Sequence, residues 1–464
     1  MTTSTTRRAF LRQAARIGAL GAAAPLGLNL SAMASAAASN SSVNDYKAIV
    51  CLFMFGGNDH YNTIVPYDAS GHADYAGRRP DLAIARLALT ASRLNPAPGF
   101  NLPNGRQFAL EPSMNALVPL FNTGKLAVTL NVGTLIDPVT KEQVLNGSAR
   151  LPPKLMSHND QQSFWQSSLA EGATSGWGGR MADLFASEPP SVFTAVSAAN
   201  SRALFVSGDR TAGYSVTPTG AVPNSTVLQP VFGSPAAANL IRSLITEPRS
   251  HPFEELYNSV NRRSLDAEAL LSAALLAAPP LNTPFDDSNP LAQQLRMVAR
   301  MIQVRTALGS SSPSPIRRQV FLVGLGGFDT HDEQPNVLPG LLGRVAQGMA
   351  SFFAAMTELG VDRQVTLFTA SDFGRTLVSN GDGTDHGWGT HQFIMGGGIK
   401  GRRFFGTPPS LVAGSSDDWN NGRLIPTTAA DQVSRELARW FGVSDSDMNI
   451  VLPNARNFAN LSIF

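Results

Sequence analysis

Aspartate and histidine recur together in this chain, each time in glycine-rich surroundings. Asp329-Thr330-His331 follows Leu325-Gly326-Gly327-Phe328, and Asp385, His386 and His391 stand within Gly383-Thr384-Asp385-His386-Gly387-Trp388-Gly389-Thr390-His391. Asp59 and His60 follow Gly56-Gly57-Asn58, His158 lies in Ser157-His158-Asn159-Asp160, and Asp372 in Ser371-Asp372-Phe373-Gly374-Arg375. Of the 7 histidines, His60, His158, His331, His386 and His391 all lie in these segments, which random scatter rarely produces. A carboxylate and an imidazole two positions apart, as in Asp329 and His331, fall on the same side of an extended chain. Mixed sets of this kind suit Zn²⁺, Mn²⁺ or Fe, whereas all-oxygen sets suit Mg²⁺ or Ca²⁺ better. The candidate ligands are therefore Asp59, Asp329, His331, Asp372, Asp385, His386 and His391, for one or two divalent ions (Zn, Mn or Mg). With Asp59 and Asp372 included, the set suits a bridged pair of ions that clamps attacking and leaving oxygens. A plainer reading stays open for single carboxylates, since Asp59 and Asp160 also suit a helix cap or a turn. Gly56-Gly57 and Gly396-Gly397-Gly398 lack the spacing of a phosphate loop.

Such clusters need elements to carry them. Four apolar runs read as buried strands: Ala48–Phe55, Leu126–Val132, Gln319–Leu325 and Val365–Thr369. Each leads, directly or after a linker, into one of the polar segments above. Continuous apolar runs separated by helical patterns predict a parallel sheet covered on both faces. In such sheets ligands bind beyond the carboxyl ends of the strands. Helices are predicted over Met114–Asn122, Leu291–Leu308 and Val337–Leu359, with the Ser/Pro-rich stretch Gly309–Pro315 as punctuation. The middle, about residues 187–290, changes texture and reads as an insertion or cap, with a hairpin around Ser201–Tyr214 and an Ala/Leu helix over Leu265–Ala278.

The N-terminus has its own chemistry. Thr6-Arg7-Arg8-Ala9-Phe10-Leu11-Arg12 is followed by an uncharged, weakly apolar stretch from Ile17 to Leu30 and by Ala32-Met33-Ala34 and Ala34-Ser35-Ala36. Paired arginines, a short apolar run and a small-x-small cleavage site predict a twin-arginine export signal over residues 1–38, leaving one α/β domain over 45–464. Gly18, Gly21, Pro25 and Gly27 argue against a helix of the mature domain. The run is too short for a membrane anchor. Without Arg7, Arg8, Arg12 and Arg16 the formal charge falls from +2 to about −2. That balance has no footprint for nucleic acid or an acidic membrane surface. The sole cysteine, Cys51, lies inside an apolar run, so no disulfide framework exists and the fold rests on its core, in a chain with 43% hydrophobic residues.

The motifs taken in order resemble a known family. Gly-Gly-x-Asp-x-x-Asn-Thr-x-x-Pro-Tyr at Gly56–Tyr67, Ser-His-x-x-x-Gln at Ser157–Gln162 and Gly-Trp-x-Gly-Arg at Gly176–Arg180 make one half. Leu-Gly-Gly-Phe-Asp-Thr-His at Leu325–His331, Ser-Asp-Phe-Gly-Arg-Thr at Ser371–Thr376 and Thr-Asp-His-Gly-Trp-Gly at Thr384–Gly389 make the other. Together they look like the bacterial exported family called domain of unknown function 1501, which resembles the alkaline phosphatase, sulfatase and phosphoglycerate mutase superfamily. The resemblance implies a three-layer α/β/α sandwich with a mostly parallel sheet, alkaline phosphatase-like, and metal ligands on strand-end loops. It puts Asp59 at a metal-binding position, Ser157 where a nucleophile stands, and Asp329 with His331 at an aspartate–histidine ligand pair.

Arg180 and Arg375 would then hold the anionic oxygens of a small ester substrate in a planar fork. The departure is Asp372-Phe373, where that superfamily tends to have Asp-His. Phe cannot ligate, so either His386 or His391 substitutes or one ion site is missing. The function expected is an exported, periplasmic or secreted, metal-dependent hydrolase of phosphate or sulfate esters, with the twin-arginine translocase as its partner in export. The alternative is a non-catalytic periplasmic binding or assembly protein on the same fold. The family's frequent encoding beside the exported family of unknown function 1800 supports that alternative and implies such a partner.

Overall fold

The computed structural model describes residues 46–186, 191–199, 203–222, 227, 229–309 and 316–464. The export segment, residues 1–38, and most of the punctuating stretch after Gly309 lie outside the described residues. The main sheet contains β1 (Lys47–Met54), β2 (Leu126–Gly133), β3 (Ala195–Ser197), β4 (Tyr214–Thr217), β5 (Gly220–Ala221), β6 (Arg318–Leu325), β7 (Val365–Ser371), β8 (Thr390–Gly396), β9 (Phe404–Phe405) and β10 (Thr428–Ala429). Its order is β9-β2-β8-β7-β1-β6-β3-β4-β5, with β10 also paired to β2. The helices that matter here are α1 (His158–Ser167), α2 (Trp177–Phe185), α3 (Pro235–Thr246), α4 (Pro252–Ala277), α5 (Pro290–Gln303), α6 (Gln334–Glu358) and α7 (Ala430–Phe441).

The alternation along β1 decides the layering. Ala48, Val50, Leu52 and Met54 join a buried cluster with Leu295 and Val298 of α5 and Leu342 and Met349 of α6. Ile49, Cys51 and Phe53 join a second cluster with Trp177 and Met181 of α2 and Val433 and Leu437 of α7. A strand apolar on both faces needs cover on both, and these helices supply it. Burial raises the Cys51 thiol pKa well above the usual range, as expected for a small core hydrophobe. The cover helices begin where their sequences say they should. Asn289 caps α5 by accepting from the amides of Leu291 and Ala292, with Pro290 as its first residue.

The four predicted strands are present as β1, β2, β6 and β7, and β1 pairs in parallel with both β6 and β7. The parallel pattern is interrupted within the sheet by β8, which is antiparallel to both of its neighbours, β7 and β2. The predicted hairpin around Ser201–Tyr214 is displaced. β4 runs parallel to β3, and the antiparallel turn lies between β4 and β5. The residues after 187 thus begin by extending the sheet edge beyond β6, and only then form α3 and α4. The predicted helix over Met114–Asn122 opens as a tighter 3-10 turn, Pro112–Leu117, before one α-helical turn, Val118–Asn122. Among the described residues no helix is long and apolar enough to cross a membrane.

Beside β1, two histidines are sealed in the core. The rings of His60 and His391 lie 4.7 Å apart, both buried, and the His391 Nδ1 accepts from the Asn131 amide at 3.0 Å. Burial pushes the His391 pKa down to about 3 and that of His60 well below its ordinary value. Both are therefore neutral in the fold, whereas an unfolded chain protonates them near pH 6.5. The pair's contribution to stability is full above that pH and is lost as pH falls towards about 3. Taking the protein from about pH 7.5 to about pH 5 should lower its urea midpoint more than that of His391→Gln, which keeps an acceptor but cannot ionise. Equal shifts would show that His391 does not contribute.

Candidate metal centre

Because β6, β1 and β7 are adjacent and parallel, their carboxyl ends open on one edge. Two glycines after β1 let the neighbouring loops close there. Gly56 (φ 117°) lies where a Cβ would strike the Asp329 backbone nitrogen, and a Cβ on Gly57 (φ 87°) would strike the Phe373 ring. β6 delivers Asp329 and His331, β7 delivers Asp372 and Phe373, and the ribbon Arg375–Ser379/Thr384–His386 brings Asp385 and His386 back. From outside the sheet, α1 adds His158 as its first residue.

The Asp329 carboxylate is the meeting point. Its Oδ1 lies 3.1 Å from His331 Nε2, 3.2 Å from His386 Nε2 and 2.8 Å from Arg375 Nη1. Its Oδ2 lies 3.4 Å from His158 Nε2. One ligand atom from each of His158, Asp329 and His386 lies within 4.8 Å of the other two, and these residues form a candidate metal-binding triad. His331 Nε2 approaches His386 Nε2 at 3.0 Å, and Asp385 stands 3.5 Å from His331 Nδ1. Asp329 and His331 are about two-fifths exposed, so the cluster keeps one side open to solvent.

Each imidazole of the triad is fixed from behind by an acceptor. His386 Nδ1 donates to the Met156 carbonyl at 2.8 Å, and His158 Nδ1 donates to the buried Asp372 carboxylate at 2.6 Å. A carbonyl cannot donate, so the proton of neutral His386 sits on Nδ1 and its Nε2 carries a lone pair. That lone pair faces an Asp329 oxygen at 3.2 Å and lies within hydrogen-bond reach of His331 Nε2 at 3.0 Å. Burial lowers the His386 pKa, aided by the charges of His158 and Arg375, which keeps Nε2 free to act as an electron-pair donor. Histidine held by a carbonyl or carboxylate at its far nitrogen is the usual outer support of a metal ligand. Burial opposes ionisation of Asp329, but the Arg375 hydrogen bond and charge outweigh it and hold its pKa below the ordinary value. His158 is shifted up by its hydrogen bond to Asp372, against the effect of burial. The donor set thus fits a divalent ion of the Zn²⁺, Mn²⁺ or Fe class.

Several candidates take other places. Asp59 is fully buried in an ion pair with Arg79 Nη1 at 2.6 Å, and its remaining contacts come from the Gln334 side chain and the Tyr61 amide. Both its oxygens are thereby committed away from the cluster. Gln334 in turn accepts from the Thr330 and Thr384 hydroxyls, and Thr384 Oγ1 accepts from Arg375. Asp59 therefore acts on the centre through a chain of hydrogen bonds. His391 lies inside β8, with its ring against His60 and Phe108. Arg180 spends its guanidinium on the carbonyls of Ser175, Ser167 and Val451, and burial draws its pKa down to about 10. Arg375 is buried, and it bonds Asp329, Gly56 and Thr384. Neither guanidinium is turned towards a ligand. Phe373 packs against both His158 and His386, with ring centroids at 4.9 and 4.5 Å, as a wall for both imidazoles.

His158 stands within Ser-His-x-x-x-Gln, where the sequence points first to the adjacent Ser157. The signal was the spacing. His158 and Gln162 are four apart and share one face of α1, and both reach Asp372. Ser157 stands at the α1 N-cap without capping it. Its hydroxyl donates to Asp160 Oδ2 at 2.7 Å.

Residues 299–451 match the model of a family described as a protein of unknown function (DUF1501). That span carries Asp329, His331, Asp372, Arg375 and His386 and leaves out His158. Among solved structures, the PsFucS1 sulfatase from Pseudoalteromonas sp. is similar at 9% identity and a TM-score of 0.32, over 93% of this chain and 76% of that one. No curated protein matches the chain.

The buried pair gives a direct test of where Asp59 acts. Asp59→Ala strands Arg79 in the core and should cost about 3–5 kcal/mol of stability. Metal stoichiometry at low temperature, read by isothermal titration calorimetry, should not change. Loss of the ion with stability intact would make Asp59 a ligand after all.

Proposed function

We propose that this chain is an exported, metal-dependent hydrolase of phosphate or sulfate esters on an alkaline phosphatase-like fold. The observation that carries the reading is the convergence of His386 Nε2, His158 Nε2 and the Asp329 carboxylate, with each imidazole held from behind at its other nitrogen. His158, Asp329 and His386 would hold the ion, with His331 and Asp385 at its open side. A divalent cation there supplies Lewis-acid polarisation of an ester oxygen and charge stabilisation as the bond breaks. Ser157 is assigned the nucleophile's role. Its proton already points at Asp160 Oδ2, so that carboxylate is placed to accept it, while the hydroxyl keeps lone pairs free for attack. Asp372 fixes the tautomer of His158, and Arg375 keeps Asp329 ionised and oriented.

One observation favours the non-catalytic alternative. Arg180 and Arg375 are both committed to protein oxygens, which leaves neither fork for an anionic substrate. The two readings separate cleanly by experiment. His386→Ala and His158→Ala should each lower Zn²⁺ or Mn²⁺ affinity by about ten- to a hundredfold or more, and Ser157→Ala should not. All three should lose turnover of aryl phosphate or sulfate, Ser157→Ala by several orders of magnitude. Metal-loaded parent protein inert across a broad ester panel would establish the binding-protein reading instead.

Export is proposed on the paired arginines, the short apolar run and the small-residue cleavage region that follows. Replacing Arg7 and Arg8 together by Lys should leave uncleaved precursor in the cytoplasm, seen by fractionation and mass. Normal export of that double variant would refute it.

A further inference from the structure

α4 carries one apolar stripe along its length, and only half of that stripe is covered. On a helix, positions three and four apart fall on one face, which here joins Phe253, Leu256, Tyr257 and Val260 to Ala267, Leu271 and Ala274. The last three are buried in the cluster that includes Leu52 of β1 and Leu295 of α5. That end is also tied down by Arg300, whose guanidinium donates to the Leu275 carbonyl. The first four are bare. Phe253 is 78% exposed, Leu256 62%, Tyr257 61% and Val260 55%.

The bare half is held in place from behind. Asn258 donates to the carbonyls of Leu244 and Glu247 at 3.0 and 2.6 Å, and Arg262 donates to the Thr246 carbonyl and pairs with Glu255. At 100° per residue, Asn258 and Arg262 fall on the far side of the helix from the stripe, so α3 braces α4 and leaves the stripe facing outward. Glu254 and Glu255 in the first turn suit the helix dipole. A partner therefore meets a surface that is already ordered, which lowers the cost of binding.

We infer that this stripe is where two copies of the chain associate, through antiparallel α4 helices related by a two-fold axis. The four side chains leave about 500 Å² bare, and two copies together bury about 1,000 Å², the least that a specific interface needs. A two-fold contact sets one patch against itself, so the stripe must fit its own copy. With the axis level with the peptide between Asn258 and Ser259, Tyr257 comes level with the partner's Val260, and Phe253 with the partner's Ser264. Each large side chain then meets a small one, as ridges packed into grooves require. The residues at the margins, Glu254, Asn261, Arg263 and Ser264, carry no net charge and so give no hold on an acidic lipid surface. Without the four N-terminal arginines the formal charge is about −2, so two copies repel one another little. The association stands apart from whatever reaction the metal centre performs.

Sedimentation velocity from about 1 to about 100 µM tests this, since an interface of that size gives micromolar affinity. The parent protein should pass from monomer to dimer across the range. Cys51 is buried, so a disulfide does not mimic the association. Val260→Asp should raise the dissociation constant about tenfold or more. Its helix content and melting temperature should match the parent monomer's, because the residue is exposed there. Val260→Tyr should weaken the dimer by setting Tyr against Tyr, and adding Tyr257→Val to it should restore the affinity. A parent that stays monomeric throughout, or a dimer indifferent to Val260→Asp, would overturn the inference. A double variant no tighter than Val260→Tyr would overturn the antiparallel arrangement. A monomeric parent that floats with phosphatidylglycerol vesicles, in a manner lost with Val260→Asp, would give the stripe to a membrane surface instead.

Discussion

Asp372, at the end of β7, ties two other parts of the chain to one carboxylate that solvent does not reach. Its Oδ1 accepts the Gly56 amide from the end of β1, and its Oδ2 accepts His158 and Gln162 from α1. A buried carboxylate is tolerated only where its oxygens are met, and here the groups that meet it are the groups that build the site. Removing Asp372 would take more than a charge. The helix would lose its attachment to the sheet edge, and His158 would lose the partner that turns its Nε2 outward. Orientation of the triad and cohesion of the fold depend on the same bonds.

The same logic runs through the less obvious residues. Arg79 and Asp59 neutralise one another in the interior, and Gln334, Thr384 and Arg375 carry that order outward to Asp329. Each of them limits where the Asp329 carboxylate can point. Such supports are what make a ligand set rigid enough to select an ion by geometry. Phe373 belongs with them. Its ring walls His158 and His386 and limits how either imidazole can turn.

Much of this could be read from the residues alone, and the parts that could not have physical causes. The strands β1, β2, β6 and β7 declared themselves as uninterrupted apolar runs ending in glycine and acid, and their carboxyl ends do carry Asp329, His331 and Asp372. β8 stayed hidden because its apolar stretch, Gln392–Met395, sits between two glycine-rich segments that read as one long loop, so His391 was grouped with His386. Asp59 resembles a ligand by its position after β1. Only the fold reveals Arg79 beneath it, contributed by a segment with no pattern of its own. His158 was overshadowed by its neighbour, because a serine ahead of a helix suggests a nucleophile more readily than a histidine at its first turn suggests a ligand.

The central place of β1 has a bearing on how the molecule comes into being. Among the described residues it is the first strand of the sheet to be synthesised, yet its partners β6 and β7 come only in the C-terminal third of the chain, and the bond from Gly56 to Asp372 closes 316 residues of chain. Until both neighbours emerge, an eight-residue strand that is almost wholly apolar has two open edges and two bare faces. Pairings this distant form slowly, and open edges invite association with other chains. A nascent chain of this design therefore gains from being shielded until β6 and β7 have emerged.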